Sequence, residues 1–360
     1  MLARLQQFIT LMLLAVALAW LLVFWDRSAL LALVGFAGVL FGYSAVLALE
    51  FLALRWVNRQ DSAPQPSWQE LAAAWLGETL VAPRVFCWRQ PFRSRAIADQ
   101  LSADCVVPGQ RGVVFIHGFF CNRGFWTPWL KQLQGSGHAF VAVNMEPPFA
   151  SIDDYAPTID DAVQRVTAAT GLPPLLVCHS MGGLAARAWL RAMQSESRIA
   201  HVVTLGTPHR GTWLARFSRL ANGRQMQLSG GWHRALDTGM PPDRHALFTC
   251  WYSNCDNIVF PSSSATLPGA QNRLVRGAAH VQLAYLPRVM QETLALLDQP
   301  ASQNLAMARL VPTRRRRSKG WIKPRVRGTP CHLKNSKATK NSTVYSATAL
   351  AVVASAAMPV

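Results

Sequence analysis

The chain has 360 residues, 51% hydrophobic and 15% charged, with 36 Lys and Arg against 18 Asp and Glu for a formal net charge of +18. Soluble domains carry roughly 25% charged residues, so this composition excludes a mostly disordered chain and argues against a purely soluble one. Seven cysteines, an odd number without a C-x-x-C pair, exclude a disulfide scaffold and a local zinc site.

Residues 8–25 form an uncharged apolar run, interrupted by Asp26, Arg27 and Ser28; a second run occupies residues 29–49. A bilayer hydrocarbon core of about 30 Å takes ~20 apolar residues as a helix, so both runs predict transmembrane helices joined in a tight hairpin. Residues 1–59 are then a membrane anchor, with Trp20, Trp25 and Trp56 where interfacial aromatics belong. No A-x-A cleavage site closes the first run, which weighs against a signal peptide. Arg4 precedes the first span and Arg55 and Arg59 follow the second, so the positive-inside rule places both ends in the cytoplasm of a bacterial inner membrane.

Residues 60–111 read as a connector punctuated by Pro64, Pro66, Pro83 and Pro91, with a short amphipathic helix over 68–76. Arg84, Arg89, Arg93 and Arg95 interleave with Phe86, Trp88 and Phe92, a mixture that suits either an anionic membrane surface or a solvated loop.

From Gly112 to about Leu297, strand-like runs (113–116, 140–143, 175–177, 202–205, 246–251) alternate with helical ones (126–133, 159–170, 181–193, 283–297). Such alternation predicts an α/β domain over 112–298, a mostly parallel sheet flanked by helices. All 18 acidic residues lie between Asp26 and Asp298, whereas residues 301–360 hold 12 Lys and Arg, including Arg314, Arg315, Arg316 and Arg317. The tail at 299–360 therefore predicts disorder and carries much of the excess charge. Nucleic-acid binding does not transfer to the body, and basic runs also contact anionic lipid.

The sharpest local feature is Leu175-Leu176-Val177-Cys178-His179-Ser180-Met181-Gly182-Gly183. An apolar strand runs into a serine, small residues and a helix, the context of a nucleophile elbow. The turn needs small residues two before and two after the serine. Gly182 meets the need; Cys178 stands where the usual motif has Gly, a tolerated departure because Cys is small and buries readily. Upstream, Phe115-Ile116-His117-Gly118-Phe119 follows another strand and is placed for an oxyanion loop.

A serine hydroxyl needs an imidazole to take its proton, and the imidazole needs a carboxylate to orient it. Downstream histidines are His201, His209, His233, His245, His280 and, in the tail, His332; downstream acids are Asp237, Asp243, Asp256, Glu292 and Asp298, besides Glu196 in the next helix. Reacting groups sit past the C-terminal ends of strands in such sheets. Asp256 and His280 both fit, in the order serine, acid, histidine. His209 precedes every plausible acid but Glu196.

Val177 to Gly183, Thr204 to Gly211, Cys255 to Val259 and Gly277 to Val289 resemble bacterial triacylglycerol lipases of the α/β-hydrolase superfamily. Small Bacillus-type lipases are most similar around Ser180 and His280. The resemblance covers about 112–297, roughly half the chain. It implies a triad of Ser180, Asp256 and His280, with the backbone N–H groups of Phe119 and Met181 as the oxyanion hole. The insert 211–243 corresponds to a region that forms a lid in lipases, or else to an ordinary surface excursion. Trp213, Phe217, Leu220, Met226, Leu228 and Trp232 from it are candidates for an acyl groove; Phe120, Trp126 and Trp129 either form its other wall or pack the core.

The expectation is a membrane-anchored serine esterase or lipase acting on hydrophobic esters, requiring no metal or organic cofactor. Thioesterase, amidase and phospholipase activities use the same three groups, and a non-catalytic membrane interaction module on the same fold is the alternative from outside enzymology.

Overall fold

A computed structural model describes residues 1–193, 197–240 and 242–298. The basic tail at 299–360, with Arg314 to Arg317 and His332, lies outside the described residues, as does Glu196. Helix α1 (Leu2–Trp25) turns back into α2 (Ala29–Phe41), which continues as α3 (Tyr43–Val57). α4 (Trp68–Pro83) leads into a π-helical turn (Arg84–Arg89) and the single turn α5 (Gln90–Phe92). The α/β region then runs β1 (Val113–Ile116), α6 (Thr127–Leu133), β2 (Phe140–Ala142), α7 (Ala156–Thr170), β3 (Leu175–His179), α8 (Met181–Met193) and β4 (His201–Leu205). It ends with α9 (Ala221–Gln225), α10 (Gly231–Gly239), β5 (Phe248–Ser253), β6 (Gln271–Val275), α11 (His280–Leu283) and α12 (Pro287–Leu294).

The six strands form one all-parallel sheet in the order β2-β1-β3-β4-β5-β6. Parallel sheets covered on both faces need strands apolar on both sides, and β1 and β3 are buried at every position. Successive side chains alternate between faces. Val114, Ile116, Leu176 and Cys178 pack under α7 and α8; Val113, Phe115, Leu175 and Val177 pack against Trp126, Trp129 and Leu130 at α6 and against Val289 and Met290 of α12. The expected parallel sheet flanked by helices is the observed architecture.

Three expectations are met only in part. The first concerns the hairpin. Among the described residues only α1 is, by itself, long and apolar enough to cross a bilayer; the second run bends by 50° between α2 and α3. The bend falls at Gly42 and Ser44, whose Oγ donates to the Phe41 carbonyl at 2.7 Å. A glycine beside a back-bonding serine is a recognised cause of a kink. Beyond it, α3 turns Tyr43, Leu47, Phe51 and Leu54 onto Cys255, Phe260 and Ala279 of the α/β region.

Second, the helix expected over 68–76 extends to Pro83. A capping box starts it: Ser67 Oγ accepts from Glu70 N, and Glu70 Oε2 accepts from Ser67 N. Third, the helix expected over 283–297 is split. Proline cannot continue the hydrogen-bonding of a helix interior but is favoured at its first turn, so Pro287 opens α12 instead.

α1 and α2 pack antiparallel. Gly35 makes this possible, because a Cβ there would fall 1.7 Å from Trp20 Nε1. The start of α1 docks on the α/β region: Gln6 donates to the Phe120 carbonyl at 3.1 Å, and Asn122 donates to Gln6 Oε1 at 3.2 Å.

Candidate active site

Ser180 occupies the turn between β3 and α8 with φ +53°, a left-handed conformation that costs a non-glycine residue on the order of 1–3 kcal/mol. The neighbours over-determine it. Ser180 N donates to the Leu205 carbonyl at 2.9 Å, and Thr207 Oγ1 donates to the Ser180 carbonyl at 2.8 Å. The requirement for small residues is literal at Gly182, where a Cβ would stand 2.4 Å from the Ile116 carbonyl oxygen and 2.6 Å from that of His117.

The loop after β1 crosses the turn at close range, since a Cβ on Gly118 would lie 2.8 Å from Ser180 Cβ. His117 braces this loop. Its Nε2 accepts from Met145 N at 3.0 Å, so its Nδ1 is the protonated nitrogen, donating to the Gly118 carbonyl at 2.9 Å. Burial pushes the His117 pKa down to about 4, which keeps the ring neutral.

Asp256 lies in the loop after β5 and His280 at the start of α11, after β6. His280 Nδ1 stands 2.9 Å from both Asp256 oxygens. Asp256 Oδ1 also accepts from Ile258 N and Val259 N at 3.0 and 2.8 Å. Both side chains are buried. Burial pushes the His280 pKa down, but the Asp256 charge, its hydrogen bond and the Glu78 charge outweigh burial, and the net direction is up. Gly206 makes room for the pair, because a Cβ there would lie 2.8 Å from Asp256 Oδ2 and 3.1 Å from His280 Nδ1.

His179 closes the back of the site. Its ring stacks on Phe125 at 4.3 Å between centroids and sits 4.6 Å from the His280 ring. Burial, and secondarily the His280 charge, hold the His179 pKa well below the usual range.

Ser180 and His280 line one cavity, enclosing about 860 Å³ with the open solvent at its mouth included. Its walls are mostly apolar: Leu47, Ala82 and Phe86 come from the N-terminal helices, Phe119 from the loop after β1, Leu214, Ala215 and Met226 from the insert, Ile258 and Val259 from the loop after β5, and Val281 from α11. Ligand cavities have this character, an apolar lining with a few convergent polar groups.

The structure thus brings Ser180, Asp256 and His280 to one rim of the sheet, with Phe119 on the cavity wall and Met181 directly after Ser180. It does not bring the expected groove aromatics there. Phe120 stacks on Phe149, Trp126 packs on Phe115, Phe125 and Trp129 in the core, and Trp213 lies against Trp56 and Phe260. Of the insert residues proposed for the groove, Met226 lines the cavity. The other histidines are engaged elsewhere: His201 Nε2 with Thr249 Oγ1, His209 Nε2 with Thr204 Oγ1, and His245 Nδ1 with the Pro268 carbonyl, while His233 is buried. Asp237 pairs with Arg187, and Glu292 with Arg273 and Arg288. The Asp243 side chain lies outside the described ones. Cys250 and Cys255 are free thiols, both buried.

Sequence reading missed Glu78, Glu50 and Asn257. Glu78 lines the cavity, and Glu50 reaches Asn257 beside Asp256. Glu50 is the one carboxylate of α3, and Glu78 sits in the apolar stretch of α4 that follows Glu70; a carboxylate within such a stretch is the signal that points to them.

The family profile of the Alpha/beta hydrolase family matches residues 113–333. The chain belongs to the alpha/beta hydrolase family. Among solved structures, this alpha/beta hydrolase is similar to the Bacillus licheniformis lipase BlEst2 in its mature form, at 18% identity over 53% of this chain and 94% of that one, with a TM-score of 0.47. It is also similar to Aspergillus fumigatus lipase B, at 19% identity over 61% of this chain and 62% of that one (TM-score 0.49). A third is the Bacillus subtilis carboxylesterase CesB, at 16% identity over 53% of this chain and 85% of that one (TM-score 0.35).

Proposed function

We propose that this alpha/beta hydrolase is a membrane-anchored serine hydrolase that cleaves carboxylic esters of hydrophobic acyl chains through an acyl-serine intermediate. The observation that carries the reading is the shared cavity: a strained Ser180 and His280, itself paired with the buried Asp256, open onto the same apolar walls.

With Nδ1–H donated to Asp256, His280 keeps Nε2 as its acceptor. As the Ser180 oxygen attacks the ester carbonyl, Nε2 takes the hydroxyl proton, and the carbonyl π pair moves onto oxygen. The N–H groups of Phe119 and Met181 receive that oxyanion, each donor lowering the barrier by about 3 kcal/mol. Collapse re-forms the carbonyl, breaks the bond to the alkoxy oxygen and returns the proton from Nε2 to the leaving alcohol. Water then repeats the sequence on the acyl-enzyme, releasing the acid and restoring Ser180. Phe86, Phe119, Leu47 and Met226 supply the dry surface that an acyl chain requires.

α1 supplies the anchor. It has 24 residues with a mean hydropathy of 2.6 over its most apolar window, and Phe8, Leu11, Leu18, Leu22 and Val23 stand exposed. Exposed apolar surface on that scale belongs in lipid.

Labelling by a fluorophosphonate, which reacts with an activated serine, tests the chemistry. The native chain is expected to label and to hydrolyse p-nitrophenyl acyl esters, and Ser180→Ala to do neither. Turnover retained in Ser180→Ala removes Ser180 from the mechanism. Acyl-length and headgroup profiling then separates simple esters from thioesters, amides and phospholipids.

A further inference from the structure

His280 is held by more than Asp256. Its own backbone N–H donates to Asn257 Oδ1 at 3.2 Å, and Asn257 Nδ2 in turn donates to Glu50 Oε2 of α3 at 2.6 Å. The next two backbone N–H groups end on one side chain of α4: Glu78 Oε1 accepts from Val281 N and Glu78 Oε2 from Gln282 N, each at 3.0 Å. Glu78 is 2% exposed. Its neighbour Gly77 permits the approach of the two helices, since a Cβ there would fall 2.4 Å from Gln282 Nε2. Every backbone N–H from His280 to Gln282 therefore ends on a side chain held by the N-terminal helices.

Resting on the serine-hydrolase reading above, we propose that Glu78 is a positioning residue that fixes the turn carrying His280 and supports the imidazolium formed during turnover. Two backbone N–H bonds, one to each oxygen, favour the anionic form of the Glu78 carboxylate. In a cavity this dry, a second negative charge beside Asp256 favours the protonated imidazole. The groups facing the pair are Asp256 from the loop after β5, Glu50 from α3, His179 from the end of β3 and Tyr285 from the turn after α11. Burial pushes the Glu78 pKa up to about 7, against its two N–H bonds and His280, which pull it down.

The test uses the full chain in detergent micelles, with kcat and KM for p-nitrophenyl butyrate measured against pH and active sites counted by fluorophosphonate titration. Glu78→Gln removes the charge and puts an amide NH2 opposite a backbone N–H. Its kcat per titrated site is expected to fall about 10²-fold, the usual consequence of a small misplacement, with KM changed less than about twofold. With one negative charge gone, His280 loses its proton at lower pH, so the acid limb of kcat/KM moves down by about one pH unit. Glu78→Asp keeps the charge but is one methylene too short. It is expected to lose kcat while leaving the limb in place.

A Glu78→Gln enzyme with native kcat, or with reduced kcat and an unmoved limb, overturns the proposal. Should Glu78→Gln not fold, native kcat in Glu78→Asp overturns it. A native chain that neither labels nor turns over overturns the serine-hydrolase reading and the role of Glu78 together. A chain that labels and turns over, with a Glu78→Gln variant that matches it, overturns the role of Glu78 alone.

Discussion

His280 Nδ1 lies 2.9 Å from each oxygen of Asp256, so one imidazole nitrogen faces a whole carboxylate edge. That contact selects the Nδ1–H tautomer and favours the cation, which is why the His280 pKa ends above its ordinary value despite burial. Asp256→Asn keeps the shape, removes the charge and can place an NH2 against Nδ1. A fall in kcat of about 10⁴-fold is expected. The pH profile carries the sign. Activity needs neutral His280 and so rises as pH passes the His280 pKa; losing the Asp256 charge lowers that pKa and shifts the rise to lower pH. A profile of kcat/KM against pH for Asp256→Asn checks this, and an unmoved acid limb would contradict it.

At Gly182 the turn presses directly on backbone. The atoms that a Cβ would strike, at 2.4 and 2.6 Å, are carbonyl oxygens of residues at and just beyond the end of β1, which cannot rotate away. Gly182→Ala should destabilise the domain by about 1–3 kcal/mol through this overpacking, and reduce labelling of Ser180 as the turn opens. Urea unfolding in detergent, read beside fluorophosphonate labelling, measures both. Native stability with native labelling would show that β1 and α8 separate more easily than the backbone contacts imply.

The parallel sheet was legible because β1, β2 and β3 are buried at every position and so read as short apolar runs, whereas the edge strand β6 is only half-buried and polar at Gln271, Asn272 and Arg273. Ser180 was legible because a sharp turn demands small neighbours, and Asp256 and His280 because they follow strands. The walls of the cavity were not. Leu47, Ala82 and Phe86 meet Ser180 only through the packing of α3 and α4 on the α/β region, which no local pattern encodes. Trp126 and Trp213 misled for the same reason: a large aromatic near a site in sequence is just as well suited to filling a core. The hairpin was legible only in part: α1 alone has the length and apolarity of a span, and the second run reaches them only across the 50° bend between α2 and α3. Hydropathy counts apolar residues but is blind to a bend, and α3 spends its apolar face on Cys255, Phe260 and Ala279.

The cavity wall offers a direct handle on substrate length. Ala82, at the end of α4, lines the cavity with Phe86. Ala82→Phe should exclude long acyl chains while sparing short ones. The ratio of kcat/KM for a dodecanoyl over a butanoyl p-nitrophenyl ester is expected to fall about tenfold or more, in line with what a few methylenes contribute to discrimination. An unchanged ratio would place the acyl chain elsewhere.

Arg187 of α8 ties the insert to the helix behind Ser180. Its side chain is fully buried; Nη1 donates to the His209 carbonyl at 3.1 Å, and Nη2 to Asp237 Oδ1 of α10 at 2.6 Å. Burial pulls the Arg187 pKa down, and Asp237 is the partner that opposes this. Breaking a fully buried pair costs about 3–5 kcal/mol. The Asp237 side chain is 51% exposed, so water offsets part of that cost, and Asp237→Ala should destabilise the protein by about 2 kcal/mol. Arg187→Met with Asp237→Ala removes the stranded charge as well as its partner, and is expected to recover much of the loss. Urea unfolding of the two variants in detergent distinguishes the cases. If Asp237→Ala is as stable as the native chain, α10 is held not by this contact but by Leu236 in the core and the Trp232 Nε1–Asp153 hydrogen bond. If it is destabilised and the double variant recovers, α10 is fixed to α8, and any opening of the cavity must come from the insert nearer Trp213–Met226.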